Sequence, residues 1–265
     1  MDFNLKDRRV AVTGAGDGIG RAIAQAFASA GARVAGCARN EDRLQDLARA
    51  IDGKGHLFAP ADVRKVEDIQ AFHGKIMETF GGVDVLVNNV GSILKTANFL
   101  ELSDDDWLES FQTNLMTAVR TTRAFIPALK NSGSPRIVNV SSIAARGPGE
   151  RFPHYSAMKA ALSNLTVSLA KTLAPDNILV NSVSPGPVWT RSWEVEAQEM
   201  ARKSGVETRT AQDLLKAEAG QATLLKRIGI PEDVAGTVLF LASDHSRWIT
   251  AANFTADGGM TGDPF

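Results

Sequence analysis

A doubly wound α/β domain, with a parallel sheet of about seven strands and helices on both faces, is the fold class the sequence predicts. Three observations carry it. Short apolar runs alternate with long amphipathic segments along the chain. A glycine-rich turn, Thr13–Gly20, joins the first apolar run to the first amphipathic segment. No low-complexity linker or internal repeat divides the 265 residues, so residues 1–265 read as one domain.

The elements follow in order. Arg9–Thr13 is the first buried strand and Ile19–Ala30 the first helix, stopped by Gly31. Strand Arg33–Cys37, helix Arg43–Ile51, strand His56–Ala59, helix Val66–Phe80 and strand Val83–Asn88 continue the alternation. Asp104–Leu129 reads as one long helix, with Asp104 and Asp105 where acids favour the positive helix end. Strand Arg136–Ser141, helix Tyr155–Leu173 and strand Ile178–Ser184 come next. Pro231-Glu232-Asp233 opens helix Pro231–Ala242, and Ala251–Thr255 is the last strand. Pro187–Ile230 is polar, rich in Ala and Glu, and ambiguous between helices and loop. A long segment of this kind suits a lid over a substrate site.

Composition excludes several classes. The formal net charge is −1 and no Lys/Arg-rich run is present, so a nucleic-acid partner is not expected. Cys37 is the single cysteine, which leaves no intramolecular disulfide and no cysteine-based zinc site. His56, His73, His154 and His245 lack the H-E-x-x-H spacing, so no metal is expected. His154 is read as a pocket wall and no more. No apolar stretch spans a bilayer, and the N-terminal Met1–Asp7 lacks the apolar core of a signal peptide. A soluble cytoplasmic protein is the expectation. Neither G-x-S-x-G nor G-x-x-x-x-G-K occurs, which removes support for a serine hydrolase or a P-loop NTPase.

The chain has one tyrosine, and it lies in Tyr155-x-x-x-Lys159. Positions i and i+4 share a helix face, so Lys159 can hold its charge near the phenol. A nearby cation stabilises phenolate and lowers a pKa that is otherwise near 10. That is the chemistry of a general acid/base. With eleven lysines in the chain the pairing alone has a real false-positive risk. The turn Thr13-Gly14-Ala15-Gly16-Asp17-Gly18-Ile19-Gly20 supports it from elsewhere. It follows a strand and opens a helix, where glycines let backbone approach a pyrophosphate and the helix N-terminus offers free N–H groups. The spacing is T-G-x-x-x-G-x-G, because Ile19 fills the third glycine position of G-x-G-x-x-G.

More motifs fall in order: Asp62-Val63, Asn88-Asn89-Val90-Gly91, Asn114, Val140-Ser141-Ser142, Pro185-Gly186 with Thr190, and Asp257-Gly258-Gly259. With these the whole chain resembles the short-chain dehydrogenase/reductase family, and within it the 3-oxoacyl-carrier-protein reductases. The resemblance implies a Rossmann fold, a nicotinamide cofactor, and hydride transfer between a secondary alcohol and a ketone. It implies that Tyr155 exchanges the proton with the substrate oxygen, that Lys159 lowers the Tyr155 pKa and binds the nicotinamide ribose, and that Ser142 bonds the substrate oxygen. Asn114 would hold a water linking Lys159 to solvent. An amide that kinks its own helix is the competing reading, since Asn is a poor mid-helix residue. Ser141 is read as the structural partner of Ser142.

The resemblance also implies a cofactor set: Gly14, Asp17, Gly18, Ile19, Gly20, Arg39, Asp62, Val63, Asn89, Tyr155, Lys159, Pro185, Gly186, Val188 and Thr190. Asp62 would accept from the adenine amino group, or else cap a helix. Asn88 would tie neighbouring segments together. Val188 and Thr190 would meet the carboxamide, with a plain helix cap as the rival role for Thr190. Asp257 is read as structural. An acid after the second strand would select NAD, but Ala38 and Arg39 stand there, and a guanidinium can grip a 2′-phosphate. Asp17 beside the phosphate loop would repel that phosphate. NADP is favoured over NAD on this balance. Ser92, Ile93, Leu94, Ala144, Phe152, Trp189 and Trp193 are candidate substrate contacts and suit a hydrophobic or cyclic alcohol or ketone. Helices Asp104–Leu129 and Tyr155–Leu173 carry more apolar positions than one sheet-facing stripe needs, and the resembling family points to a homotetramer. A cofactor-binding regulator without catalysis is the alternative from another class.

Overall fold

The structure, a computed structural model, describes residues 3–262. Met1 and Asp2, part of the N-terminal segment read above, and residues 263–265 lie outside the described residues. The strands are β1 (Arg9–Thr13), β2 (Arg33–Ala38), β3 (Leu57–Pro60), β4 (Val85–Asn88), β5 (Arg136–Val140), β6 (Leu179–Pro185) and β7 (Asn253–Ala256). All pair in parallel, in the order β3-β2-β1-β4-β5-β6-β7. β1 is flanked by β2 and β4, with Val10 opposite both Val34 and Val85. The connections run in opposite directions on either side of β1. Such a switch point opens a crevice at the carboxyl ends of the strands.

The helices are α1 (Gly18–Ser29), α2 (Glu41–Ala50), α3 (Val66–Phe80), α4 (Asp104–Phe111), α5 (Thr117–Lys130), α6 (Pro153–Leu173), α7 (Arg191–Ser204), α8 (Thr208–Gln221) and α9 (Pro231–Ala242). One face of the sheet is covered by α1 and α9, through Ile23, Phe27, Val234 and Leu241. The other is covered by α3, α5 and α6, through Ile69, Phe72, Phe125, Leu129 and Leu173. The central strands are therefore buried on both sides, which explains why their sequences run apolar without alternation. β4 and β5 are buried at every position.

One expectation changes and one open reading is settled. Asp104–Leu129 is not one α-helix: a π-helical turn, Gln112–Met116, separates α4 from α5. Asn114 lies inside that turn, and its amide bonds both to the Ser92 backbone and back to Ser110 of α4, as described below. Pro187–Ile230, open between helices and loop, is resolved as helical: α7 and α8 form a hairpin with a small core of Ala197, Ala201, Ala211 and Leu215. Alanines pack there at close range, so few large side chains are needed. Boundaries also shift by a few residues. α2 starts at Glu41 because the Asn40 side chain accepts from Arg43 N at 2.9 Å, and α6 starts at Pro153, a residue pre-set for the first helical position.

Candidate active site

The glycine-rich turn lies at the end of β1, facing β4. A Cβ on Gly20 would collide with the Gly14 carbonyl oxygen, so only glycine fits there. Asn89, just past β4, fastens the turn: its backbone N–H donates to Thr13 Oγ1 at 3.0 Å, and Nδ2 donates to Thr13 O at 3.1 Å and Gly14 O at 3.3 Å. Asn88 points away from the crevice, donating to Thr122 Oγ1 and Asn139 Oδ1 at 2.9 Å. It joins β4 to α5 and β5, the tying role read from the sequence. On the other flank Gly186 N–H donates to Ala256 O at 3.0 Å, just beyond Pro185 at the end of β6. Asp257 folds the following turn by accepting from Gly259 N, Thr261 N and Thr261 Oγ1, so it is structural.

α6 and the end of β5 bring the expected catalytic residues together. Lys159 is 2 % exposed. Its Nζ donates to Val140 O at 2.8 Å and stands 5.7 Å from the Tyr155 ring centroid. Burial pulls its pKa down to about 8. Burial also raises the Tyr155 phenol above its ordinary value, while a hydrogen bond with Ser142 draws it back. The sequence expectation, a phenol lowered by Lys159, is thus outweighed here by desolvation. Ser142 begins a 3₁₀ turn, and its Oγ also accepts from Ala144 N at 3.2 Å. Ser141 has the structural role: its Oγ donates to Lys159 O at 3.0 Å and lies 2.7 Å from Ser163 Oγ.

Asn114, 1 % exposed, accepts from Ser92 N at 2.8 Å through Oδ1 and donates through Nδ2 to Ser92 O and Ser110 Oγ, both at 3.1 Å. The amide therefore anchors the loop after β4, and its helix is locally widened. His154 is fully buried with its ring 6.2 Å from that of Trp107, packing α6 on α4 rather than lining a pocket.

At the outer end of the crevice both acids are already paired. Asp17 caps α1 by accepting from Gly18 N at 2.8 Å, and its other oxygen accepts from Arg43 Nη1 at 2.9 Å. Arg64 grips Asp62 at 2.7–3.1 Å through Nε and Nη2, and Arg64 N–H donates to Asp62 Oδ1. Those bonds hold the Asp62 carboxyl below its usual range, against burial and with help from the charge of Arg39. Asp62 does not cap α3; Lys65 is at that position. Asp62, Arg64, Gln112 and Thr113 line a cavity of about 410 Å³ beside Val63. Arg39 is exposed beyond the end of β2.

Thr190 occupies the cap position of α7, but its side chain makes no cap bond. Its methyl faces Gly18, and Asp17, Gly18, Arg21, Thr190 and Arg191 line a second cavity of about 280 Å³. Val188 is buried and bridges to Gly229. Arg21, Arg43, Arg64 and Thr113 were not singled out from the sequence. Arg43 had a signal: it is a cation in the first turn of a helix, where acids are favoured.

The substrate candidates divide. Ser92, Ile93 and Leu94 lie on the exposed loop held by Asn114, with Ile93 42 % and Leu94 38 % exposed. Ala144 is buried in the 3₁₀ turn, and Phe152 meets Tyr155 edge to face at 6.0 Å. Trp189 and Trp193 stack on each other at 6.1 Å and pack into the α7–α8 core, with Lys216 Nζ 4.4 Å above Trp189. Among the described residues no group suits a metal ion and no helix is long and apolar enough to cross a membrane.

Known proteins match the chain over nearly its whole length. A family described as enoyl-(acyl carrier protein) reductase matches residues 14–261. A probable galactose dehydrogenase of Rhizobium meliloti is 37 % identical over 265 residues, covering 97 % of this chain and 96 % of the relative. A 3-oxoacyl-[acyl-carrier-protein] reductase of Chlamydia pneumoniae is 35 % identical, covering 98 % and 100 %. The crystal structure of L-sorbose reductase from Gluconobacter frateurii, complexed with NADPH and L-sorbose, superposes with a TM-score of 0.91 at 32 % identity, covering 98 % of each chain. Fold, crevice and relatives together show that the chain belongs to the short-chain dehydrogenase/reductase family of oxidoreductases.

Proposed function

We propose that this protein interconverts a secondary alcohol and a ketone, with NADP(H) preferred over NAD(H) and Tyr155 as the general acid/base. The observation that carries the reading is the buried Lys159 one turn from Tyr155, whose hydroxyl is bonded to Ser142. The residues fit a dinucleotide: the Gly14–Gly20 approach leaves room for no side chain, and Asn89 fixes that turn. Gly14, Gly18, Ile19 and Gly20 would hold the diphosphate. Asp62, Val63 and Thr113 would border the adenine, and Asn89, Pro185, Gly186, Val188 and Thr190 the nicotinamide half. A nicotinamide dinucleotide supplies or accepts the hydride when bound.

The chain's own residues handle the proton. Tyr155 Oη gives it to the ketone oxygen or takes it from the alcohol. Lys159 is charged below about pH 8 and favours phenolate as the proton leaves. Ser142 Oγ bonds the same substrate oxygen. Asn114 Oδ1 has a second lone pair for a water that returns protons to Lys159. For NADP speak Arg39 beyond Ala38, the pairing of Asp17 by Arg43, and the NADPH of the sorbose reductase complex. Ile93, Leu94 and Phe152 favour a largely apolar or cyclic substrate. Phe111, Leu115 and Val119, four residues apart, form a half-exposed stripe along α4, the π-helical turn and α5, and Trp248 is 97 % exposed near β7. Both suit burial between copies, and light scattering on the 28.3 kDa chain should report a tetramer.

The test follows nicotinamide absorbance with both cofactors against alcohols, ketones, ketoses and polyols of graded size. Tyr155→Phe should lower turnover by at least about 100-fold while cofactor still binds. A Phe variant of undiminished rate rejects the mechanism. Stoichiometric cofactor binding without turnover on any substrate identifies a regulator instead.

A further inference from the structure

Arg43 occupies an uncommon position. Asn40 caps α2 and places Arg43 at its third residue, in the positive end of the helix. A cation is disfavoured there. It is offset by Asp17, which accepts from Arg43 Nη1 at 2.9 Å. The two segments can meet because residue 16 is glycine: a Cβ there would stand 3.1 Å from Ala38 Cβ and 3.4 Å from Arg43 Cβ. The phosphate loop, the end of β2 and the first turn of α2 therefore form one cluster. Asp17 and Arg43 form its ion pair, both partly exposed, and the exposed Arg39 follows Ala38 in the chain.

That place is where a dinucleotide-binding fold distinguishes its cofactors, since the end of the second strand faces the adenosine ribose 2′ position. A bare carboxylate in the phosphate loop would repel a 2′-phosphate and tolerate a 2′-hydroxyl. With Arg43 on it, Asp17 is neutralised, and Arg39 follows Ala38 as a further cation at the end of β2. Guanidinium has five donors in a planar fork, and the bond to Asp17 uses one.

We infer that Arg43 sets the choice of cofactor: it neutralises Asp17, and its remaining donors join Arg39 in holding a 2′-phosphate. The inference rests on the reading of this crevice as a dinucleotide site. Arg43 is then a specificity-determining residue, and the Asp17–Arg43 pair is the unit that selects.

Isothermal titration with adenosine 2′,5′-bisphosphate and with 5′-AMP tests this apart from turnover. Arg43→Ala should weaken the bisphosphate by at least about tenfold and 5′-AMP by less than about threefold, the signature of a lost charge-assisted contact. Asp17→Asn in the Arg43→Ala background should recover much of that loss, because the exposed carboxylate is then gone. Arg43→Lys keeps the charge without the fork and should fall between. The ratio of NADP to NAD KM should move in the same order. Equal weakening of both nucleotides by Arg43→Ala, or no recovery on adding Asp17→Asn, overturns the inference and leaves the proposed reaction intact. A wild-type protein that binds neither nucleotide overturns the crevice reading and the inference with it. Circular dichroism identifies a variant that has lost α2, and Arg43→Lys then decides the result.

Discussion

Gly91 leaves the space that Lys159 Nζ fills: a Cβ on Gly91 would stand 2.6 Å from that nitrogen and 3.2 Å from Asn114 Oδ1. The loop after β4, the π-helical turn and α6 therefore meet at one point. Lys159 has no easy retreat, because its Nζ is tied to Val140 O. Gly91→Ala should displace the ammonium with Tyr155 and Ser142 unchanged. Turnover should fall at least about tenfold, an effect near 1.4 kcal/mol on the barrier. Overpacking by one methyl should lower stability by about 1–3 kcal/mol. Steady-state kinetics with a thermal melt separates the two, and an alanine variant with wild-type turnover would show that the position of Nζ is not critical.

Lys159 also links stability to pH. Its folded pKa of about 8 lies below the ordinary 10.5 because of burial. Between those values the unfolded chain binds the proton and the folded protein does not, so stability rises with pH. Its contribution is a penalty that is full below pH 8 and fades toward pH 10.5. From pH 8 to pH 10 the relief amounts to about 2 kcal/mol. Urea unfolding of wild type and Lys159→Met over this range should show the gain in the wild type only. Parallel curves for the two proteins would place the charged amine in water rather than in the protein.

The sheet and most helices were legible because central strands and sheet-facing helices follow apolar periodicity directly. Motif residues stood out as well: Asn89 bonds to Thr13, and Lys159 Nζ stands 5.7 Å from the Tyr155 ring centroid. The break at Asn114 was visible only as a poor helix former, since its hydrogen-bond partner, the backbone of Ser92, is distant in sequence. The α7–α8 segment stayed open between helices and loop because its core is built largely from alanines, which carry little hydrophobic signal. Arg43 carried a weak signal as a cation in a helix first turn, but its partner was not visible, because Asp17 is 26 residues away. The pulls of Asp17 and Arg39 were weighed in favour of NADP from the sequence, and the contact adds that Asp17 is paired.

The lid expectation takes a more definite form. The hairpin is fastened at both ends: Trp189 N–H donates to Gly229 O at 2.8 Å and Gly229 N–H to Pro187 O at 2.9 Å, while Arg227 pairs with Asp233 at 2.6 Å. Between these ties, α7 and α8 pack mainly on each other, and Trp189 and Trp193 belong to that small core. Arg151, on the loop before α6, reaches Glu196 of α7 at 3.9 Å, an exposed contact worth little. Residues 191–221 should therefore open as one unit, at a lower free energy than β1, β4 and β5. Cofactor with substrate or inhibitor should slow hydrogen exchange across that unit and close it over the crevice. Residues 187–190 and 228–230 should be protected already and change little. Exchange in α7 and α8 as slow as in the sheet before any ligand is added, and unaffected afterwards, would make the hairpin a fixed wall.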